Sequence, residues 1–199
     1  MPDEQEPTAA LTSRSAVIAS LFLFGAIVLA VVLLQTPDLQ APDEAAPSPV
    51  QAGDAAPDFS LTSLDDADMS LSDYAGRPVL IDFWASWCEP CHAEFPELAA
   101  AYGRHREEGL EILGITHADS EQESRAFVEE AGATWPILPD PDDLVWEAYG
   151  AQGLPTSYFV DADGVVQRVH LGPLNETGLA DHLAAIGIPP TPTESAGPS

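Results

Sequence analysis

The sequence predicts an α/β domain with a central mixed sheet and helices on both faces, preceded by one N-terminal transmembrane helix. Strand-like apolar runs alternate with helical patterns between residues 58 and 188, an order that builds a sheet covered by helices. A long apolar run without charge stands apart from this domain, at residues 16–34. Proline-rich polar segments flank the domain on both sides.

The apolar run at residues 16–34 is interpreted as a membrane anchor. As a helix, nineteen residues rise ~28 Å, close to the ~30 Å hydrocarbon core of a bilayer. A cleaved signal peptide is the alternative, but its apolar region usually has only ~7–15 residues after a basic start, whereas residues 1–15 are acidic. Arg14 precedes the run and no basic residue follows until Arg77, so residues 1–15 are expected in the cytoplasm and the domain outside.

The flanking segments are expected to lack a fixed structure. Residues 35–57 are rich in Pro, Ala and Asp and predict a disordered linker, because such a composition buries little apolar surface. Residues 189–199 predict a second disordered tail.

The elements of the domain follow from local patterns. The run VLIDFW at 79–84 is almost entirely apolar, as a strand buried on both faces requires. Ser120 and Glu123 form a capping box, and residues 161–164 (DADG) form a hairpin turn. The predicted strands are 58–61, 69–71, 79–84, 110–116, 137–138, 157–160 and 165–170. The predicted helices are about 91–107, 120–131, 142–149 and 177–186.

The charge of the chain limits its partners. There are 33 acidic residues against 6 basic ones, and the formal net charge is -27. Such a field repels nucleic acid, so no nucleic-acid partner is expected. Adaptation to high salt would explain the acidity, since salt screens the self-repulsion. An acidic lineage without a special habitat is the alternative.

The only two cysteines, Cys88 and Cys91, lie three residues apart, which indicates redox or metal chemistry rather than a framework of structural disulfides. Cys88 follows the buried strand at the predicted start of a helix, where the helix dipole stabilises a thiolate. Cys91, one turn later, can resolve a mixed disulfide. Pro90 suits the first turn, where its missing N–H costs little.

Asp82 lies in the middle of the apolar strand and is expected to be buried behind the cysteines. A desolvated carboxyl has a raised pKa and can exchange a proton with Cys91. The alternative is a structural aspartate hydrogen-bonded to the backbone.

Five segments carry a resemblance to a known family: FWASW (83–87), WCEPC (87–91), EFPEL (94–98), WPILPD (135–140) and GLPTSYFVD (153–161). Together they resemble the thioredoxin superfamily, and more narrowly its TlpA/ResA-like branch of membrane-anchored extracytoplasmic thiol-disulfide oxidoreductases. The resemblance covers roughly residues 57–187. Superfamily members related to thioredoxin itself have an aspartate where Asp82 stands, whereas many members of the TlpA-like branch have asparagine.

The resemblance implies a thioredoxin-like fold and a redox-active Cys88–Cys91 disulfide. It implies that Pro155 is cis and faces the dithiol. It also implies that Glu94 lies at the active-site surface, where it aids proton movement or substrate recognition; the alternative is a solvated helix carboxylate. The residues implied in the active-site loop and in substrate binding are Trp87, Glu89, Pro90, Leu154, Pro155 and Thr156.

Other interpretations of the dithiol remain open. Residues 88–92 (CEPCH) also match the attachment motif of c-type haem, in which His92 would be an axial ligand, but only Met1 and Met69 offer a methionine as second ligand. Zinc needs about four ligands, which this segment does not supply. No cofactor or metal is therefore expected. The remaining histidines are assigned to surface or helix positions: His105, His117, His170 and His182.

The predicted function is reduction of disulfides in extracytoplasmic proteins, with apocytochrome c in haem c maturation as a candidate substrate and a membrane electron donor. The negative charge of Glu89 between the cysteines favours a reductant. A DsbA-like oxidase or isomerase is the first alternative, and a non-catalytic binding module is the second. A monomer is expected, anchored in the cytoplasmic membrane.

Overall fold

The computed structural model describes residue 20, residues 23–29 and residues 48–189. The chain divides into two units, Met1–Ala45 and Ala46–Ser199. In the first unit, residue 20 and residues 23–29 are helical; the rest of the predicted anchor, the predicted tail at 1–15 and most of the predicted linker lie outside the described residues. Among the residues that are described, no helix combines the length and the apolar character needed to cross a bilayer.

The second unit contains a five-stranded mixed sheet with strand order β5-β4-β3-β6-β7. β3 pairs in parallel with β4 and antiparallel with β6, while β7 is antiparallel to β6. β1 and β2 form a separate antiparallel pair. The strands are β1 Ser60–Thr62, β2 Asp68–Ser70, β3 Val79–Trp84, β4 Glu111–Thr116, β5 Ile137–Pro139, β6 Thr156–Val160 and β7 Val166–Leu171.

Four α-helices cover the sheet, and two short 3-10 helices lie at Leu71–Tyr74 and Arg106–Glu108. Side chains alternate across β3, so its two faces belong to different clusters. Leu80 and Trp84 pack in a cluster with helices α1 and α4, whereas Ile81 and Phe83 pack in a cluster with α3. The expected mixed sheet with helices on both faces is therefore present. The α-helices are α1 Glu89–His105, α2 Glu121–Ala131, α3 Leu144–Tyr149 and α4 Glu176–Ala185.

The elements lie within two residues of their predicted bounds, and two of the differences have a local reason. The first strand begins at Ser60 rather than at Asp58, and the Asp58 carboxylate instead accepts hydrogen bonds from the backbone N–H groups of Phe59 and Ser72. Helix α1 begins at Glu89 rather than near Cys91, because Cys88 is itself the N-cap residue.

Residues 48–57, named here the strap, belong to the folded domain. Val50 is buried and its N–H donates to the Tyr149 carbonyl at 3.0 Å. Gly53 and Asp54 exchange two backbone hydrogen bonds with Val166 at the start of β7, with N···O distances of 2.7 and 2.9 Å. The prediction of a disordered linker over residues 35–57 is therefore wrong for its last ten residues. Of the predicted tail at 189–199, only residue 189 is among the described residues.

Gly114, in the centre of β4, tests how tightly this core is packed. A Cβ at this position would lie 2.8 Å from Ile137 Cδ1 and 3.0 Å from Trp84 Nε1, closer than such contacts allow. We expect Gly114→Ala to lower the free energy of unfolding by about 1–3 kcal/mol through overpacking. The measurement is the urea midpoint of unfolding.

Gly103→Ala is the matched control, because no atom lies within 4 Å of its added Cβ and Gly103 lies in helix α1. Its expected effect is a gain of roughly 0.5–1 kcal/mol from the lower entropy of the unfolded chain and better helix propensity. Equal effects of the two substitutions would contradict the packing argument.

Candidate active site

Strand β3 leads directly into the turn that carries the dithiol. The strand ends at Trp84, and after a short turn Cys88 caps helix α1 with its Sγ 3.3 Å from the N–H of Cys91. Cys88 and Cys91 form a disulfide. Cys88 is 4% exposed and Cys91 is fully buried. Only Cys88 can therefore meet a substrate sulfur without rearrangement, which agrees with its expected role as the nucleophile.

Asp119, in the loop after β4, forms hydrogen bonds with the turn before the dithiol. Its carboxylate accepts from the backbone N–H of Ser86 at 2.7 Å and from the Ser86 hydroxyl at 2.8 Å. It also accepts from the Ser124 hydroxyl at the start of α2. The Trp87 indole N–H donates to the Ala118 carbonyl at 3.0 Å, although the ring is 61% exposed. The active-site turn is thus held by the Asp119 side chain and the Ala118 carbonyl, from a segment more than thirty residues away.

His92 supports the same turn. Its Nε2 donates to the Ser86 carbonyl at 2.6 Å, and its ring stacks on Phe127 at 4.5 Å. In c-type haem attachment, both cysteine sulfurs would be thioethers and His92 an iron ligand. Here the two sulfurs are bonded to each other and the imidazole is used by the protein. The arrangement fits disulfide exchange. Among the described residues, no three His, Cys, Asp or Glu side chains converge as metal ligands.

Asp82 is buried on the side of the sheet that carries the dithiol. Strand alternation places its side chain on the same face as Leu80 and Trp84, the face against which Cys91 packs. One carboxylate oxygen accepts from the Ser157 hydroxyl at 3.0 Å, and the other has no partner among the described residues. Burial raises the pKa of Asp82 to about 7, and the Ser157 hydrogen bond opposes the shift. Such a carboxyl can accept or give up a proton near neutral pH.

Glu94 is fully buried, so the expectation of a position at the active-site surface is wrong. Helix α1 presents it three residues after Cys91, on the face that packs against the sheet. One of its oxygens accepts from the Leu174 N–H at 3.1 Å, and the other has no partner among the described residues. Burial first, and then the charge of Asp82, raise the pKa of Glu94 to about 10, against a smaller opposing effect of the Leu174 hydrogen bond. We therefore expect Glu94 to hold its proton at neutral pH, and its functional role stays a prediction.

The loop before β6 contains the expected cis peptide bond, between Leu154 and Pro155. Leu154 is partly exposed and lines a groove at the dithiol. Thr156, expected in substrate binding, is buried, and its hydroxyl donates to the Gly153 carbonyl at 2.6 Å. Its side chain therefore holds the loop together instead of facing a substrate.

The groove beside Cys88 has a volume of about 410 Å³. It contains two residues that sequence reasoning missed, His117 and Trp146. Their rings stack with centroids 3.8 Å apart. His117 lies on the loop after β4 and was expected only as a surface or helix residue; no sequence spacing links it to partners that follow it by 26 and 29 residues. The lining residues are Trp87, Cys88, Glu89, Pro90, His117, Trp146, Gln152, Gly153 and Leu154.

His105 lies in helix α1, which agrees with its assignment to a surface or helix position. It is buried at the end of α1, and its ring is 2.8 Å from a carboxylate oxygen of Glu108. It lies among the core residues and not in the groove.

Comparisons with known proteins agree with this geometry. Residues 52–169 match the model of the AhpC/TSA family. The thiol-disulfide oxidoreductase ResA of Geobacillus thermodenitrificans is 35% identical over 137 residues, which cover 69% of this chain and 79% of that protein. ResA of Bacillus subtilis is 32% identical over the same length, covering 69% of this chain and 76% of that protein.

The fold has a close counterpart among solved structures. A protein named thiol:disulfide interchange protein DsbE from Chlorobium tepidum superposes with a TM-score of 0.65 and 31% identity. The match covers 69% of this chain and 99% of that one. The thioredoxin-like fold expected from the five sequence segments is therefore confirmed.

The raised pKa of Asp82 predicts that the free energy of unfolding depends on pH. A folded pKa of about 7, against an ordinary value of 3.8, means that the folded protein keeps a proton that the unfolded chain releases. This contribution is fully present below pH 3.8 and is lost as the pH rises to about 7. Asp82→Asn should thus raise the free energy of unfolding by about 2–4 kcal/mol at neutral pH, and hardly at all at pH 3.5.

The measurement is denaturant unfolding of wild type and variant across pH 3.5–8. Asp163→Asn is the control, since it removes a charge from an exposed carboxylate in the β6–β7 turn. A gain for Asp82→Asn that does not change with pH would show that desolvation of the carboxylate is not its cause.

Proposed function

Because the chain belongs to the AhpC/TSA family and is a thiol-disulfide oxidoreductase, we propose that it reduces disulfides in proteins outside the cytoplasmic membrane. The observation that supports this most directly is the Cys88–Cys91 disulfide at the start of α1, on the sheet face that also buries Asp82. Apocytochrome c, with paired cysteines of its own, is the candidate substrate. The resemblance to the TlpA/ResA-like branch supports that choice.

The reaction begins from the reduced dithiol. The Cys88 thiolate attacks one sulfur of the substrate disulfide, forming a mixed disulfide while the other substrate sulfur leaves with the electron pair. The N-cap position favours this thiolate, because the helix dipole and the Cys91 N–H both point at Cys88 Sγ.

The second step releases the reduced substrate. Cys91 loses its proton, and its thiolate attacks Cys88 Sγ, which restores the disulfide seen in the structure. Asp82 is the proposed acceptor of that proton, since it is buried on the same side and has an unpaired oxygen. A membrane electron donor must then return two electrons to the disulfide.

The proposal includes the direction of the reaction, which is reduction of the substrate, and the location of the domain at the outer side of the membrane. Glu89 is exposed between the cysteines, and its charge opposes thiolate formation at Cys88, which favours a reducing pair. The apolar run at residues 16–34 is proposed to hold the domain at the outer side of the membrane, and the single Arg14 before it supports that orientation.

Single cysteine variants separate the two steps. Cys91→Ser should accumulate covalent complexes with substrate proteins, because the mixed disulfide at Cys88 can no longer be resolved. Cys88→Ser, which changes the same atom at the other position, should form none and should lose turnover. The measurement is non-reducing electrophoresis of full-length protein recovered from membranes. Equal trapping by both variants would contradict the assignment of Cys88 as nucleophile.

The reduction potential of the Cys88–Cys91 pair tests the direction. We expect a value near or below the roughly -270 mV of thioredoxin, measured by equilibration with dithiothreitol buffers. A value near the roughly -120 mV of DsbA would instead indicate an oxidase of exported proteins and would remove apocytochrome c as the substrate.

A further inference from the structure

His117 is placed in the groove by contacts that fix the orientation of its ring. Its backbone N–H donates to the Trp84 carbonyl at the end of β3, with an N···O distance of 3.0 Å. Its ring lies nearly parallel to Trp146, at an interplanar angle of 13°. Its Nδ1 donates to an Asp143 carboxylate oxygen at 2.8 Å. The other ring nitrogen, Nε2, has no hydrogen-bond partner among the described residues, and the side chain is 22% exposed.

Asp143 is available for this contact because another residue caps its helix. Asp143 is the N-cap of α3 but makes no side-chain cap hydrogen bond. The buried Asp140 accepts instead from the N–H groups of Val145 and Trp146, both at 2.9 Å. The Asp143 carboxylate is thereby directed to His117.

The backbone on both sides of the pair is strained. Ala118 has a φ of 48° and Asp143 a φ of 55°, a left-handed conformation that residues other than glycine seldom adopt. Among the other non-glycine residues within 48–189, only Asp66 also has a positive φ. Strain of this kind persists where the surrounding structure enforces it, and it concentrates at functional sites.

We propose that His117 is a second catalytic residue, a general acid that protonates the thiolate leaving the substrate. The inference rests on the proposed function, because it assigns a role in the first exchange step. His117 and Cys88 line the same groove, so a substrate disulfide that Cys88 attacks within this groove reacts in a space that His117 also lines. Of the residues lining that groove, His117 alone can carry a positive charge.

The Cys88 thiolate forms a bond to one substrate sulfur, the substrate S–S bond breaks, and its electron pair stays on the second sulfur. The Nε2–H of the imidazolium transfers its proton to that sulfur, which leaves a neutral thiol and a neutral imidazole. Asp143 holds the ring in position by accepting a hydrogen bond from Nδ1, as a carboxylate does for a catalytic histidine elsewhere. Solvent then returns the proton to Nε2.

His117 and Asp82 are therefore assigned to two different proton transfers. Asp82 lies in the interior, on the face where Cys91 packs, and is placed to accept the proton of the resolving thiol. His117 lines the groove at Cys88, where the substrate disulfide would react.

Leaving-group dependence tests the proposal. Full-length reduced protein is mixed with two neutral disulfides, and second-order rate constants are measured by stopped-flow tryptophan fluorescence. Bis(2-hydroxyethyl) disulfide releases an alkyl thiolate that needs a proton, whereas 2,2′-dithiodipyridine releases an acidic thiol that does not. We expect His117→Gln to slow the alkyl reaction by about tenfold or more and the aryl reaction by less than about twofold.

Two variants complete the experiment. Asp143→Asn keeps an acceptor for Nδ1 but removes the charge, and it should give a smaller loss confined to the alkyl disulfide. His170→Gln replaces a histidine on β7 that does not line the groove, and both of its rates should match wild type.

The outcomes separate this inference from the function on which it rests. Equal losses with both disulfides would mean that His117 serves binding or folding, and unchanged rates would mean that it has no part in the reaction; either result overturns the proposal. If the reduced wild-type protein reacts with neither disulfide, the proposed function itself fails.

Discussion

The fold is organised around one carboxyl group that a purely apolar core would not contain. Asp82 sits in the middle of the central strand, fully enclosed, with a single hydroxyl as its hydrogen-bond partner. A charged carboxylate at such a site is costly, and the enclosure therefore favours the protonated acid. The charge of Asp82 in turn raises the pKa of the second buried carboxyl, Glu94, which burial already raises, so both groups are expected to retain protons that surface acids would release. A dithiol that gains and loses protons with its electrons lies on the same side of the sheet.

The dithiol is held from two sides by different kinds of interaction. Inside, Cys91 packs among Trp84, Phe95 and the helices above the sheet. Outside, the turn before Cys88 is fixed by polar contacts from the loop after β4, chiefly those of Asp119. That same loop carries His117 to the groove. The position of Cys88 and the shape of the surface that meets a substrate therefore depend on one short segment between β4 and α2.

Much of this architecture could be predicted from the sequence, because its signals are local. The apolar run of β3 and the spacing of the cysteines each indicate their own structure, whereas the cis bond before Pro155 was implied only by the resemblance to the thioredoxin superfamily. The burial of Glu94 could not be predicted in the same way: helical periodicity places it on the face of Cys91 but does not tell how deeply that face is covered by Leu174 from a distant loop. His117 was missed for a related reason, since Asp143 and Trp146 reach it only through the fold.

The strap belongs to the folded domain although its composition predicted a disordered linker. It also covers part of the edge of the sheet. Residues 53–56 pair with residues 164–166 and occupy the outward hydrogen-bonding groups at the start of β7, the last strand of the sheet. Beyond that point β7 carries the exposed side chains of Val169 and Leu171. Open strand edges with apolar side chains are templates for pairing between chains. The strap therefore shortens the edge on which two molecules could join, and a form of the protein that began at residue 58 would be prone to self-association even with its active site intact.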